Sequence, residues 1–139
     1  APGVSDVLTA AAAGYPFMVQ LVGYYTWQSA SRRGSDAVEL RDAQKGIATA
    51  RKSFDNMVIE PALRRVSGKQ FEYLAAMARC GSGPVASGDI AREMGVAPTS
   101  VSTYRRRLVD AALIEAPSYG VVSFAIPYMR EYLLEHVRE

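Results

Sequence analysis

The run "GYPFMVQLVGYYTW" sits inside a stretch from Val7 to Ala30 that carries no charge. Gly14 and Pro16 divide it. Ahead of them, "VSDVLTAAAA" predicts a short helix with Ser5 as its cap and Gly14 at its end. Behind them, Pro16 suits the first turn of a second helix, where a missing N–H costs nothing. That helix is expected to reach about Ser31, ahead of the polar turn "SRRGSD". Its apolar residues Phe17, Val19, Leu21, Val22, Tyr24 and Trp27 point in nearly every direction on a helical wheel. A helix apolar all round needs cover on several sides, so a partner outside this chain is expected to supply part of it. A third helix follows from about Leu40 to Ile59, with Leu40, Ala43, Ile47, Ala50, Phe54, Met57 and Val58 at helical spacing. Pro61 kinks or ends it. "PALRRVSGK" then reads as a bridge, with a domain boundary near Val66.

From Ser67 the pattern changes. "SGKQFEYLAAMARCG" predicts a helix with Phe71, Leu74, Ala75 and Ala78 on one face, and "GSGPVAS" a turn. "SGDIAREMG" predicts a short helix capped by Ser87, with Ile90, Ala91 and Met94 inward. "VAPTSVSTYRRRLVDAALI" predicts another, with Pro98 in its first turn. Strand-forming residues on either side of Tyr119-Gly120 predict a hairpin, and "PYMREYLLEHV" a closing helix. Helix, helix, helix, two-stranded wing, helix is the order of a winged helix-turn-helix. The expected fold class is therefore mainly α: a small helical bundle over residues 1–65, then a winged helix-turn-helix domain with a two-stranded β wing over residues 66–139.

Composition narrows the chemistry. The 139 residues are about half apolar and a fifth charged, with a net charge of +2, too small to announce a partner. Gly14, Pro16, Gln20, Thr26 and Gln28 argue against reading the uncharged run as a membrane span, and no basic segment precedes it as in a signal peptide. One cysteine, Cys80, excludes an internal disulfide and fits a reducing compartment, and the expected location is cytoplasmic. With one histidine, His136, there is little to build a catalytic thiol or a metal site. Gly68-Lys69 lacks the earlier glycine and the following hydroxyl residue of a P-loop. No catalytic residue and no metal ligand is assigned, and this chain by itself is not expected to be an enzyme.

The helix over residues 98–112 is the element that would enter a DNA major groove. Val101, Tyr104, Leu108 and Ala111 form its inward stripe. The other face carries Thr99, Ser100, Ser102, Thr103, Arg106 and Arg107, hydroxyls and guanidiniums suited to phosphates and base edges, with Arg105 at the border. Tyr119 at the wing tip reaches toward a flanking groove or backbone. Against this stands the charge balance: residues 66–139 hold eight Lys/Arg and eight Asp/Glu, whereas DNA affinity comes mainly from neutralised phosphates. A protein-docking or autoinhibitory winged helix is the competing expectation. A winged-helix transcription regulator with a helical dimerisation domain is a third.

Taken together, "GYPFMVQLVGYYTW", the long helix after it, "LRRVSGKQFEYLAAMA", "GPVASGDIAREMGVAPTSVSTYRRRLVDAALI" and "SYGVVSFAIPYMREYL" resemble the C-terminal part of AAA-type P-loop ATPases. The nearest group looks like the archaeal-type and STAND-like ATPases, relatives of the Cdc6/Orc replication initiators. The resemblance implies a C-terminal fragment, with a lid over residues 1–65 that closes over nucleotide and a winged helix that contacts duplex DNA. It also implies ATP and magnesium in an intact protein, an ATPase core as a missing partner, and no cofactor held by this chain alone. A Gly-x-Pro motif in such lids packs against the nucleotide base or ribose, and the matching positions are Gly14, Tyr15 and Pro16. No arginine lies between Ala1 and Ser31 to sense a γ-phosphate, and Walker A and B segments are absent. Self-association through an exposed lid surface is expected.

Overall fold

The computed structural model describes residues 3–136. The loop expected at Ala1-Pro2 and the last residue of the expected closing helix, Val137, lie outside them. The fold is mainly helical with a small three-stranded antiparallel sheet, the class expected. It divides into two compact units, one up to Val58 and one from Ile59. The division therefore falls earlier than Val66, because the helical turn Glu60–Arg64 groups with the second unit.

The first unit holds α1 (Val4–Ala12), α2 (Pro16–Arg32) and α3 (Leu40–Phe54). Ser5 is not the cap of α1. The helix begins one residue before it, and the Ser5 carbonyl accepts a bond from Thr9 Oγ1 at 2.7 Å. Ala13 and Gly14, both left-handed at φ 53° and 69°, stop α1, and Pro16 opens α2 as expected. The core of this unit is one close helix pair. Met18, Val22, Thr26 and Ala30, four residues apart, are the buried ridge of α2. Ala43, Gly46, Ala50 and Phe54 are buried on α3. Gly46 is what allows the approach: a Cβ there would lie 2.5 Å from the Thr26 nitrogen and 2.7 Å from its Cα. α2 is not covered all round within this unit: Val19, Tyr24 and Trp27 are exposed. Leu40 and Met57 are also exposed, and the small residue Gly46 takes the contact assigned to Ile47.

The polar turn after α2 builds a buried ion pair. Asp42, only 1% exposed, accepts from Ser29 Oγ at 3.0 Å, Arg33 Nε at 3.2 Å, Arg33 Nη2 at a short distance, and the Glu39 N–H at 2.8 Å. The Arg33 bond first, then the Glu39 N–H, hold the Asp42 carboxyl well below the usual carboxylate range. A depressed folded pKa stabilises the fold fully above the unfolded value, about 4 for Asp, and that stabilisation is lost as pH falls below it. Thermal melts from pH 6 to pH 2.5 are expected to show the first unit weakening only below about pH 4. Asp42→Asn is expected to be less stable at neutral pH and to lose much of that acid dependence. Parallel pH profiles for the two proteins would refute this role.

α3 runs on through a π-helical turn, Asp55–Ile59, into α4 (Glu60–Arg64). Pro61 sits in the first turn of α4. It has no N–H to give to an earlier carbonyl, and the change of helical pitch comes just before it.

The second unit is built on α5 (Gly68–Cys80), in which Tyr73 to Ala78 are all buried. Ser67 starts it with reciprocal bonds: Gln70 N–H to Ser67 Oγ at 3.2 Å, and Ser67 N–H to Gln70 Oε1 at 3.3 Å. Then come β1 (Val85–Ala86), α6 (Ser87–Met94), a 3₁₀ turn (Pro98–Val101), α7 (Ser102–Asp110), β2 (Ile114–Ser118), β3 (Val121–Phe124) and α8 (Met129–His136). Ser87 is the first residue of α6 and not its cap, and its Oγ is buried without a formed hydrogen bond. Strand order is β1-β3-β2. The segment expected to be only a turn thus contributes a strand, with Val85 opposite Val122 and Ala86 opposite Val121. β2 and β3 form the expected hairpin, with an irregularity between Glu115 and Ser118. Pro117 lies inside that irregularity, where a ladder bond cannot be donated. Gly120, at φ 75°, makes the tip.

Candidate nucleic-acid interface

The helix expected over residues 98–112 is two elements. Pro98–Val101 is a 3₁₀ turn and α7 spans Ser102–Asp110. Val101 and Leu108 are buried and Tyr104 is half-buried, so the inward stripe stands for these three. Ala111 is exposed, because the helix has ended by then. Thr99 and Ser100 are exposed on the 3₁₀ turn, and Ser102, Thr103, Arg106 and Arg107 on α7. Ser102 Oγ donates to the Thr99 carbonyl at 3.0 Å and pins the junction between turn and helix.

Ser102, Thr103, Arg105, Arg106 and Val109 line a cavity of about 290 Å³ with Ala116 of β2. The geometry thus gathers two hydroxyls and two guanidiniums where α7 meets the hairpin. Thr99, Ser100, Arg107 and Tyr119 do not line that cavity. Tyr119 is fully exposed at the hairpin tip.

Charge is segregated in a way that net neutrality hides. Lys69 pairs with Glu72 at 3.3 Å, Arg79 with Glu93 at 3.3 Å, and Arg92 with Asp89 at 2.6 Å. Arg130 Nε donates to the Ala78 carbonyl at 2.9 Å. Among the described residues from Val66 onward, Arg105, Arg106 and Arg107 have no carboxylate partner. Arg106 and Arg107 are exposed, and Arg105 is half-buried. Arg105 also acts inward: burial pushes the Tyr73 hydroxyl above its usual range, and the Arg105 charge opposes that rise. The Ser87 hydroxyl is close to that of Tyr73 but outside hydrogen-bond geometry.

The other sequence candidates are placed as follows. Gly14, Tyr15 and Pro16 form the α1–α2 corner, where Tyr15 N–H donates to the Ala12 carbonyl at 3.0 Å. The Tyr15 ring sits edge-on to Phe54 at 5.5 Å, and Pro16 is exposed. Cys80 is half-buried, and burial, then Glu93 and Asp89, push its thiol up, so it stays protonated at neutral pH. No group of three or more His, Cys, Asp and Glu gathers as a metal site among the described residues. No helix among them is long and apolar enough to cross a membrane.

Residues 56–133, which run from the π turn into α8, match a family described as a domain of unknown function, DUF8462. The match covers more than half of the chain, which therefore belongs to that family. No curated protein and no solved structure matches it.

Proposed function

We propose that the second unit contacts duplex DNA through α7 and the β2–β3 hairpin, as a winged helix-turn-helix does. One observation carries this reading: among the described residues the three consecutive arginines of α7 have no carboxylate partner, while Lys69, Arg79 and Arg92 of the same unit are paired. Short hydroxyls precede them among the exposed residues of the 3₁₀ turn and α7, and Tyr119 at the hairpin tip is fully exposed. Arginines supply phosphate neutralisation and bidentate base contacts, and the hydroxyls fix register on the backbone.

The test is fluorescence anisotropy of the chain on a random duplex at low and near-physiological salt. Binding is expected to weaken steeply with salt. An Arg106→Ala/Arg107→Ala variant is expected to bind roughly tenfold or more weakly, with a flatter salt dependence by up to about two. An absence of binding at low salt would turn the reading to a protein-docking surface.

A second observation favours a lid-type role for the first unit. Pro16, Val19, Gln20, Gly23, Tyr24 and Trp27 share one uncharged, exposed face of α2, which suits a lid that packs against a P-loop core and closes over its ATP. In that reading this chain supplies no Walker segments, and no ATP turnover is expected from it. Phosphate release from Mg-ATP, followed in the same preparations, would overturn it.

A further inference from the structure

We propose that the first unit holds an anion site for phosphate groups, in the concavity between the end of α2 and the start of α3. The cavity is about 340 Å³ and is lined by Ser29, Arg32, Arg33, Arg41, Asp42 and Lys45. That volume lies at the lower end of small-ligand sites, roughly 300–1,000 Å³. This proposal is independent of the DNA-contact reading, which concerns the other unit.

Four cationic side chains, Arg32 of α2, Arg33 just after it, and Arg41 and Lys45 of α3, line it against one lining carboxylate, and that carboxylate is already spent. Asp42 is buried with its oxygens taken by Ser29, Arg33 and the Glu39 N–H. Its charge is cancelled by Arg33, which in turn is held in place by Asp42, the Ala37 carbonyl at 3.2 Å and Glu39 at 3.5 Å. Arg33 is thus a fixed wall of the cavity. Arg32 and Lys45, both exposed, have no carboxylate partner among the described residues. Arg41 pairs with Glu39 at 3.1 Å, but both are well exposed, and such surface pairs are weak enough to yield to a doubly charged ligand. A concavity with an excess of positive charge in its lining focuses the resulting field on an anion. Guanidiniums on two sides with an ammonium suit the oxygens of a phosphoryl group better than a single carboxylate. The ligand class is a phosphate ester or anhydride, either free or as the backbone of a nucleic acid.

The experiment is calorimetric titration of the full chain with inorganic pyrophosphate, in buffers of equal ionic strength made up with chloride. Wild type is compared with Arg32→Gln/Lys45→Gln and with Arg106→Ala/Arg107→Ala. Saturable binding is expected in wild type and in the α7 variant, and at least about tenfold weaker binding in the glutamine variant. The glutamine changes are at exposed positions and are expected to leave the melting curve in place. No saturable heat, or equal affinity in wild type and the glutamine variant, would overturn the site. Duplex DNA supplies the second arm. A matching loss of duplex affinity in the glutamine variant, with competition by pyrophosphate, assigns the site to backbone phosphates. Unchanged duplex affinity assigns it to free phosphate compounds.

Discussion

Gly46→Leu is expected to unfold the first unit, and Gly46→Ala to destabilise it. On an exposed helix the glycine-to-alanine change would add about 1 kcal/mol of stability through propensity. Here the added carbon falls 2.5 Å from the Thr26 nitrogen and 2.7 Å from its Cα. Those are backbone atoms, so no rotamer change relieves the clash. The two helices must separate, and the buried ridges on each, Met18, Val22 and Ala30 against Ala43, Ala50 and Phe54, then lose contact together. Overpacking costs about 1–3 kcal/mol for a small addition. A leucine adds three further carbons to a contact with no space, against a typical total stability of about 5–15 kcal/mol. Circular dichroism melts of the three proteins would measure it. An alanine variant that melts higher than wild type would show that the helices are not so closely apposed.

Leu108→Ala is expected to cost the second unit about 2–5 kcal/mol, the range for emptying a buried leucine site. Leu108 is 1% exposed and lies on the inner side of the helix whose outer side carries Arg106 and Arg107. Its carbonyl also accepts the Leu113 N–H at 3.1 Å, which turns the chain into β2. The loss therefore loosens the seat of the arginines and their link to the hairpin together. Duplex binding is expected to fall in parallel with folding, whereas Arg106→Ala/Arg107→Ala lowers binding with the melt unchanged. A Leu108→Ala protein with the stability of wild type would mean that α7 is not packed as described.

Much of this architecture is legible in the residues because its signals are local. Pro16 marks the start of α2, and the Ser87 to Met94 segment and the Tyr119-Gly120 tip are found where punctuation residues place them. What escapes depends on partners distant in sequence. β1 is two residues long, too short for any period, and it exists only because β3 lies beside it. The contact residue on α3 is Gly46, which hydrophobic patterning passes over in favour of Ile47, because the determinant is closeness of backbones and not apolar surface. The π turn has no pattern of its own. The arginines of α7 are evident from the sequence, but their freedom from carboxylates is not, since a charge count cannot say which acids have been claimed. The Arg33–Asp42 pair and the cavity beside it escape for the same reason: "SRRGSD" reads as a solvated turn until the chain folds back and buries the acid nine residues on.

The chain contains one tryptophan and one cysteine. Trp27 is on the outer face of α2 in the first unit, and Cys80 is the last residue of α5 in the second. The native sequence therefore carries an intrinsic fluorophore on one unit and a single attachment point on the other. An acceptor dye coupled to Cys80, at alkaline pH because its thiol is pushed up, makes Trp27 the donor of an energy-transfer pair. Adding duplex or pyrophosphate to that conjugate reports any movement of one unit against the other without altering a residue.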